Sequence, residues 1–186
     1  MTPRSETPFT DASILILEDN HGMREIIWSV LNAFGCAKLT CCARVVEALE
    51  RTFAKPPDLA IVDYQLNGET GLEFVKAIRS SADAAISGVP VIVVTAHTQM
   101  ARINEFINAG VDEILAKPMQ AETLYRRIAA VVNNRRPYVR AGSYFGPDRR
   151  VAIVPVAVER RANQPEPGAG AAASGEDEDD ASVVHI

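Results

Sequence analysis

Leu59-Ala60-Ile61-Val62-Asp63 sets four apolar residues in succession and closes on an acid. Such a run is too short for a typical helix and has no polar face, so it predicts a strand buried on both sides of a sheet. Upstream, Pro56-Pro57 breaks the chain, residues 45–53 carry a helical stripe, and residues 37–43 read as another strand. Further back, Ser13-Ile14-Leu15-Ile16-Leu17 is a second apolar run, ending in Glu18-Asp19, where Asp19 or Asn20 offers a helix N-cap. The helix that follows places Ile26, Ile27, Val30, Leu31 and Phe34 on one stripe and ends at Gly35. Downstream of Asp63, a loop with Gly68 and Gly71 leads to a third helix marked by Leu72, Val75 and Ile78. A small-residue loop over 80–88 precedes a strand over 89–95, which ends in Thr95-Ala96. Ile103, Phe106 and Ile107 give a fourth helix that stops at Gly110. A short strand over 113–116 closes on Lys117-Pro118, and Leu124, Ile128, Val131 and Val132 form the stripe of a fifth helix. Strand and helix thus alternate five times, which calls for parallel strands joined by right-handed crossovers and helices on both sheet faces. The expected fold is α/β, a five-stranded doubly wound parallel sheet of flavodoxin-like order 2-1-3-4-5.

A chain of 186 residues suits one domain with an appendage, and a hydrophobic content of 47% supports a sizeable core. Residues 1–11 are polar and Pro-containing and read as a flexible N-terminal segment. They lack an apolar core behind a basic start, and no run approaches the roughly 18 apolar residues of a membrane span. The expectation is a soluble, cytoplasmic protein without membrane insertion. Cys36, Cys41 and Cys42 form neither a CxxC pair nor a His/Cys cluster and read as small buried apolar residues.

Periodicity stops near Pro137. A globular unit over 12–135 is therefore expected, followed by a non-globular C-terminal tail over 136–186, basic and aromatic over 136–161 and acidic and disordered over 162–186. Residues 135–161 hold seven arginines against Asp148 and Glu159, whereas Glu166 and residues 176–180 add six acids. The Gly/Ala/Ser-rich stretch 168–175 and the acids after it have little apolar area to bury. Arginines interleaved with Tyr138, Tyr144 and Phe145 raise the question of nucleic acid. No helix-turn-helix pattern follows, however, and the terminal acids can screen the basic stretch within the chain, so nucleic acid is not the expected partner. Residues 142–150 combine turn formers with aromatic anchors, as a short docking segment would, and residues 151–158 suit a strand added to a sheet edge here or on a partner.

Parallel strands bring their carboxyl ends side by side, so Glu18, Asp19, Asp63, Thr95 and Lys117 converge in one crevice. Three close carboxylates repel one another unless a cation compensates. Mg²⁺, or Mn²⁺ in its place, suits oxygen ligands, whereas nothing here offers the thiolate and imidazole set of zinc. Such a site polarises a phosphoryl group while a carboxylate attacks phosphorus in line. Lys117 would supply a fixed positive charge and Thr95 a hydrogen-bond donor to the transferred group, with Ala96 leaving room for it.

Leu17-Glu18-Asp19-Asn20, Asp63, Val94-Thr95-Ala96 and Lys117-Pro118, in that order and on those elements, resemble the receiver domain of two-component response regulators over residues 12–135. The resemblance implies that Asp63 accepts a phosphoryl group from a histidine kinase or histidine phosphotransfer protein. It implies that Asp19, Asp63 and the backbone carbonyl of Gln65 hold Mg²⁺ and that Glu18 supports the ion, through water. Thr95 and Lys117 would sense the phosphate, and the fourth helix, fifth strand and fifth helix would then alter their contacts with a downstream protein or in a homodimer. Gln65 and His97 stand where they can modulate dephosphorylation. Two departures stand out. The loop Leu66-Asn67-Gly68-Glu69-Thr70-Gly71 lacks the family's usual Pro, which implies reduced stiffness, and Ile114 stands where an aromatic switch residue is common.

Two rivals follow from the same residues. A phosphatase of the haloacid dehalogenase type also uses Asp, Mg²⁺, Thr and Lys on a parallel sheet, but needs a second Asp two residues after the nucleophile, where this chain has Gln65. A pseudo-receiver acting only as a binding module would not need Glu18, Asp19, Thr95 and Lys117. The expected protein is a stand-alone phosphoacceptor in two-component signalling or a phosphorelay, working through protein contacts; it is not expected to be an enzyme, catalysing only its own phosphoryl transfer and dephosphorylation.

Overall fold

A computed structural model describes residues 9–96, 99–133, 135–142 and 144–150, with the backbone of Val183–Val184. Strands β1 (Ser13–Leu17), β2 (Lys38–Cys42), β3 (Leu59–Asp63), β6 (Val91–Thr95) and β7 (Glu113–Ala116) form the central sheet, with β4 (Gln65–Leu66) and β5 (Glu69–Thr70) between β3 and the third helix. The helices are α1 (His21–Ala33), α2 (Val45–Ala54), α3 (Gly71–Arg79), α4 (Ala84–Ser87), α5 (Met100–Ala109) and α6 (Ala121–Asn133). The order is β2-β1-β3-β6-β7, all parallel, as the alternation of runs required. The free edge of β7 is paired antiparallel with β10 (Val183–Val184), Val183 opposite Leu115.

Strand alternation splits the core into two layers. Ile14, Ile16, Leu59, Ile61, Ile92 and Val94 pack on one face against Ile27 and Leu31 of α1 and Leu124 and Ile128 of α6. Leu15, Leu17, Val62, Val91 and Val93 turn to the other face, against Ala48 of α2, Val75 of α3 and Phe106 of α5. Both faces are covered, which is why the runs read as continuously apolar. Asn20 is the N-cap of α1, accepting from the Met23 N–H at 3.0 Å.

Several expectations need correction. The segment expected to be flexible through Asp11 contributes Phe9, fully buried with its ring edge-on to Tyr125 at 5.3 Å. Cys36 and Cys42 are buried as expected, but Cys41 is exposed, because β2 is an edge strand with one open side. Ile26, assigned to the buried stripe of α1, is 58% exposed. The loop over 80–88 contains the short α4, capped by Asp83. The stretch after Asp63, expected to be less stiff, is a tight hairpin: β4 pairs with β5 around Asn67-Gly68, Gly68 taking φ 76° as such a turn requires.

The boundary expected at 135 falls inside the packed body. β8 (Tyr138–Ala141) and β9 (Tyr144–Pro147) form an antiparallel hairpin docked where α3, α5 and the start of β7 meet. Asp112, at the entry to β7, accepts from the Tyr138 hydroxyl at 2.7 Å, from the Val91 N–H at 2.8 Å and from Arg79 at 3.1 Å. Arg79, itself buried, also donates to the carbonyls of Gly110, Ser87 and Val89. Burial pushes the Asp112 carboxyl up, against the pull of the Arg79 charge, and pushes the Tyr138 hydroxyl up as well. Gly110, at φ 83°, lets the hairpin approach, since a Cβ there would overlap the Phe145 carbonyl. The docking segment expected over 142–150 thus docks on its own domain through Phe145, with Tyr138 of the preceding strand anchoring it. Residues 151–158, expected to add a strand, and the acids over 162–182 lie outside the described residues.

Candidate functional site

Four strand ends deliver the side chains that the sequence singled out. Glu18 and Asp19 follow β1, Asp63 ends β3, Thr95 ends β6 and Lys117 follows β7. The β6–β7 register puts Thr95 opposite Ala116, and the Lys117 N–H donates to the Thr95 carbonyl at 2.8 Å, so these two strand ends are locked level. Glu18, Asp19 and Asp63 each place a carboxylate oxygen within 4.8 Å of the others. Lys117 Nζ stands 3.0 Å from Glu18 Oε2 and 3.0 Å from Asp63 Oδ2. Two of the three carboxylates thus meet one ammonium. Glu18 and Asp63 are buried, Asp19 is half-buried, and all open onto a cleft of about 570 Å³ that Asn20, Gln65 and Lys117 also line.

Burial is the largest influence on Glu18 and raises its pKa, opposed by the hydrogen bond from Lys117 and reinforced by the Asp63 charge. Burial alone would lower Lys117, but its hydrogen bonds to Glu18 and Asp63 and their negative charges outweigh that and hold it above its usual range. The acids are spared further conflict by the backbone: the Asn20 N–H donates to Glu18 Oε1 at 3.1 Å and the Asn67 N–H to Asp19 Oδ2 at 2.9 Å. The donor set is three carboxylates without thiolate or imidazole, short of positive charge by two. That fits a hard divalent cation, Mg²⁺ or Mn²⁺, better than zinc.

Of the other expected residues, Gln65 is exposed at the cleft on β4, and Thr95 is 1% exposed at the strand end. Ile114 is buried in the layer beneath α5, paired with Val93, and does not line the cleft. His97 lies outside the described residues. Sequence reasoning missed four contributors. Asn67 acts through a backbone amide, which has no side-chain signature. Arg24 donates from α1 to the Glu18 carbonyl at 2.7 Å, a contact its position one turn into the helix hinted at. Tyr64, next to Asp63, is buried edge-on to Phe106 of α5 at 5.0 Å, with Arg102 over its ring at 5.7 Å. Gly71 opens α3 against the end of β3, where a Cβ would overlap the Asp63 carbonyl.

Residues 14–129 match the response regulator receiver domain family. The chain is 30% identical over 118 residues to the chemotaxis protein CheY of Pseudomonas aeruginosa, covering 63% of this chain and 94% of that protein. It is 30% identical over 124 residues to the response regulator MprA of Mycobacterium leprae, covering 67% of this chain and only 52% of that longer protein. Among solved structures, CheY4 of Vibrio cholerae superposes with a TM-score of 0.59 at 28% identity, covering 64% of this chain and 98% of that one. No helix among the described residues is long and apolar enough to cross a membrane.

Proposed function

The chain belongs to the response regulator receiver domain family, and from that premise we propose that Asp63 is the phosphoacceptor through which it serves two-component signalling. The observation that carries this reading is the bridge from Lys117 Nζ to Asp63 Oδ2 at 3.0 Å, set among two further carboxylates at one end of a parallel sheet. A carboxylate oxygen of Asp63 forms a bond to phosphorus as the P–N bond of a phosphohistidine donor breaks, the imidazole nitrogen leaving with the electron pair. Lys117 holds the attacking carboxylate in place and then pairs with a phosphoryl oxygen, and the Thr95 hydroxyl donates to another. Glu18, Asp19, Asp63 and the Gln65 carbonyl are the groups to hold Mg²⁺, which when bound neutralises charge on the transferred phosphoryl group. Gln65, standing where a phosphatase would carry its general acid, leaves no second carboxyl there either to protonate a leaving alcohol or to take a proton from water attacking the phosphoryl-aspartate, which favours a persistent phosphoryl-protein over turnover.

The donor is a histidine kinase or histidine phosphotransfer protein, and the output is contact with a downstream protein. Ile26, exposed at the lip of the cleft beside Met23, gives a donor an apolar foothold next to Asp63. Incubation with acetyl phosphate and Mg²⁺ followed by intact-mass measurement should give one base-labile phosphoryl adduct in the wild type and none in Asp63→Asn. No adduct from acetyl phosphate or from a phosphohistidine donor would overturn the reading in favour of a binding module, and rapid turnover of small phosphate esters would overturn it in favour of a phosphatase.

A further inference from the structure

The docked hairpin creates a second concavity, about 870 Å³, between α3, α5 and β9, remote from the acid cleft. Lys76 of α3 and Arg140 of β8 line it, with Asn104 and Asn108 along α5 and Phe145 on the hairpin side. Its single acid, Glu105, is paired with Arg102 at 3.0 Å. Arg79 also borders it but is saturated by the Asp112 network, so the exposed cations on offer are Lys76 and Arg140. Arg140 is not a loose side chain. Its guanidinium lies 4.6 Å from the centroid of the Phe145 ring, as Arg149 lies 4.6 Å from that of Tyr144, and a guanidinium held on a ring keeps its N–H edge for an anion. Across residues 135–150 five arginines meet one acid, Asp148.

We propose that this cleft is the docking site of the chain's own acidic run, residues 176–180, Glu-Asp-Glu-Asp-Asp. Charge complementarity is the first argument: five consecutive carboxylates are offered to a cleft whose unsaturated charges are both positive. Tethering is the second. Val183–Val184 pair with β7, the strand that directly follows α5, so the run lies within seven residues of a point fixed on the same body, roughly 23 Å of extended chain; the antiparallel register directs the chain before Val183 toward the Ala116 end of β7, and that length is what lets it turn back across α5 to the cleft. A segment tethered this closely meets its site at an effective concentration on the order of millimolar, which no free acidic peptide matches. The inference does not depend on Asp63 accepting a phosphoryl group.

Zero-length carbodiimide coupling of the full chain, mapped by peptide mass spectrometry, tests it, because an amine and a carboxylate join only when they touch. The expected product links Lys76 to a residue of 176–180 within one chain, with a yield that falls roughly tenfold from about 20 mM to about 500 mM NaCl as the charges are screened. Lys76→Arg keeps the charge and should abolish that product, and Arg140→Ser should lower its yield. Coupling of the run to Lys38, Lys55 or Lys117 instead, or no coupling of the run at low salt, would overturn the proposal. A product joining labelled to unlabelled chains in a mixed-isotope sample would overturn it too, in favour of docking on a second copy.

Discussion

A side chain at position 71 would take the space of the Asp63 carbonyl and the Val62 side chain, whereas one at position 22 would meet only Asn20 Oδ1 at 3.5 Å. Both glycines lie in helices, so the same substitution should act in opposite directions. Gly22→Ala should raise stability by about 0.5–1 kcal/mol by lowering the entropy of the unfolded chain. Gly71→Ala should lower it by about 1–3 kcal/mol, because overpacking must push α3 from β3. Urea titration reads both, and Gly71→Ala should also slow formation of the phosphoryl adduct, since the strand end that aims Asp63 is what moves. Glu113 supplies a different residue-level effect. It is buried on β7, Arg127 stands 3.5 Å away, and its Oε1 accepts no hydrogen bond among the described residues. Burial pushes its pKa up to about 7, with the Arg127 charge opposing. The fold therefore prefers the protonated carboxyl: its contribution to stability is whole below the ordinary value of 4.5 and is lost as pH rises through about 7. Between about pH 5 and pH 8 the wild type should lose about 1–3 kcal/mol relative to Glu113→Gln, whose side chain does not titrate. Parallel stability curves for the two proteins would count against buried ionisation at this position.

At the scale of elements, two hairpins were added to a sheet that the sequence announced, and each hangs on a glycine at positive φ. Gly68 turns β4 into β5 with nothing within 4 Å of an added Cβ, and Gly110 ends α5 directly beneath the Phe145 carbonyl. Alanine at either position meets the left-handed penalty of about 1–2 kcal/mol. Only Gly110→Ala should also undock β8 and β9, so it should cost more and should raise hydrogen exchange over 138–147, where Gly68→Ala should not. Equal costs and unchanged exchange would mean that the hairpin rests on the domain without supporting it. Tyr138→Phe probes the same dock by chemistry. It leaves Asp112 with Arg79 and the Val91 N–H but removes the hydroxyl donor at 2.7 Å, an expected loss of about 1–3 kcal/mol for a buried acceptor left short. The β4–β5 hairpin matters nearer the chemistry: through the Asn67 N–H, which donates at 2.9 Å, it holds one oxygen of Asp19.

For the molecule as a whole, the sheet order and the acid cleft were legible because both depend on local patterns. Runs such as 14–17 and 59–62 are apolar throughout only if helices cover both faces, and parallel pairing then forces Glu18, Asp19, Asp63, Thr95 and Lys117 to one end. Phe9 was not legible, being one apolar residue in a polar stretch with no period to betray it. Nor was the C-terminal hairpin, whose hold comes from cation–π contacts and from an acid, Asp112, lying 26 positions before Tyr138, and distant polar pairs leave no periodic trace. The cleft couples chemistry to the stability of the entire fold. Folding gathers three carboxylates within 4.8 Å around one ammonium, a surplus of two negative charges that the unfolded chain disperses. A cation that binds only this arrangement must stabilise the native state by mass action, about 2.7 kcal/mol at a hundredfold excess over its dissociation constant. For a chain of this size that is a rise in Tm of roughly 5–10 °C. Titrating Mg²⁺ at constant ionic strength should therefore raise Tm along a saturating curve, with NaCl giving no such curve. Asp19→Asn should flatten it by removing a ligand without touching Lys117, and Mn²⁺ should reproduce it in the wild type. An equal rise with Mg²⁺ in wild type and Asp19→Asn would mean that the ion is acting elsewhere on the surface, and the three acids would then be a cluster held together by Lys117 and the Asn20 and Asn67 amides.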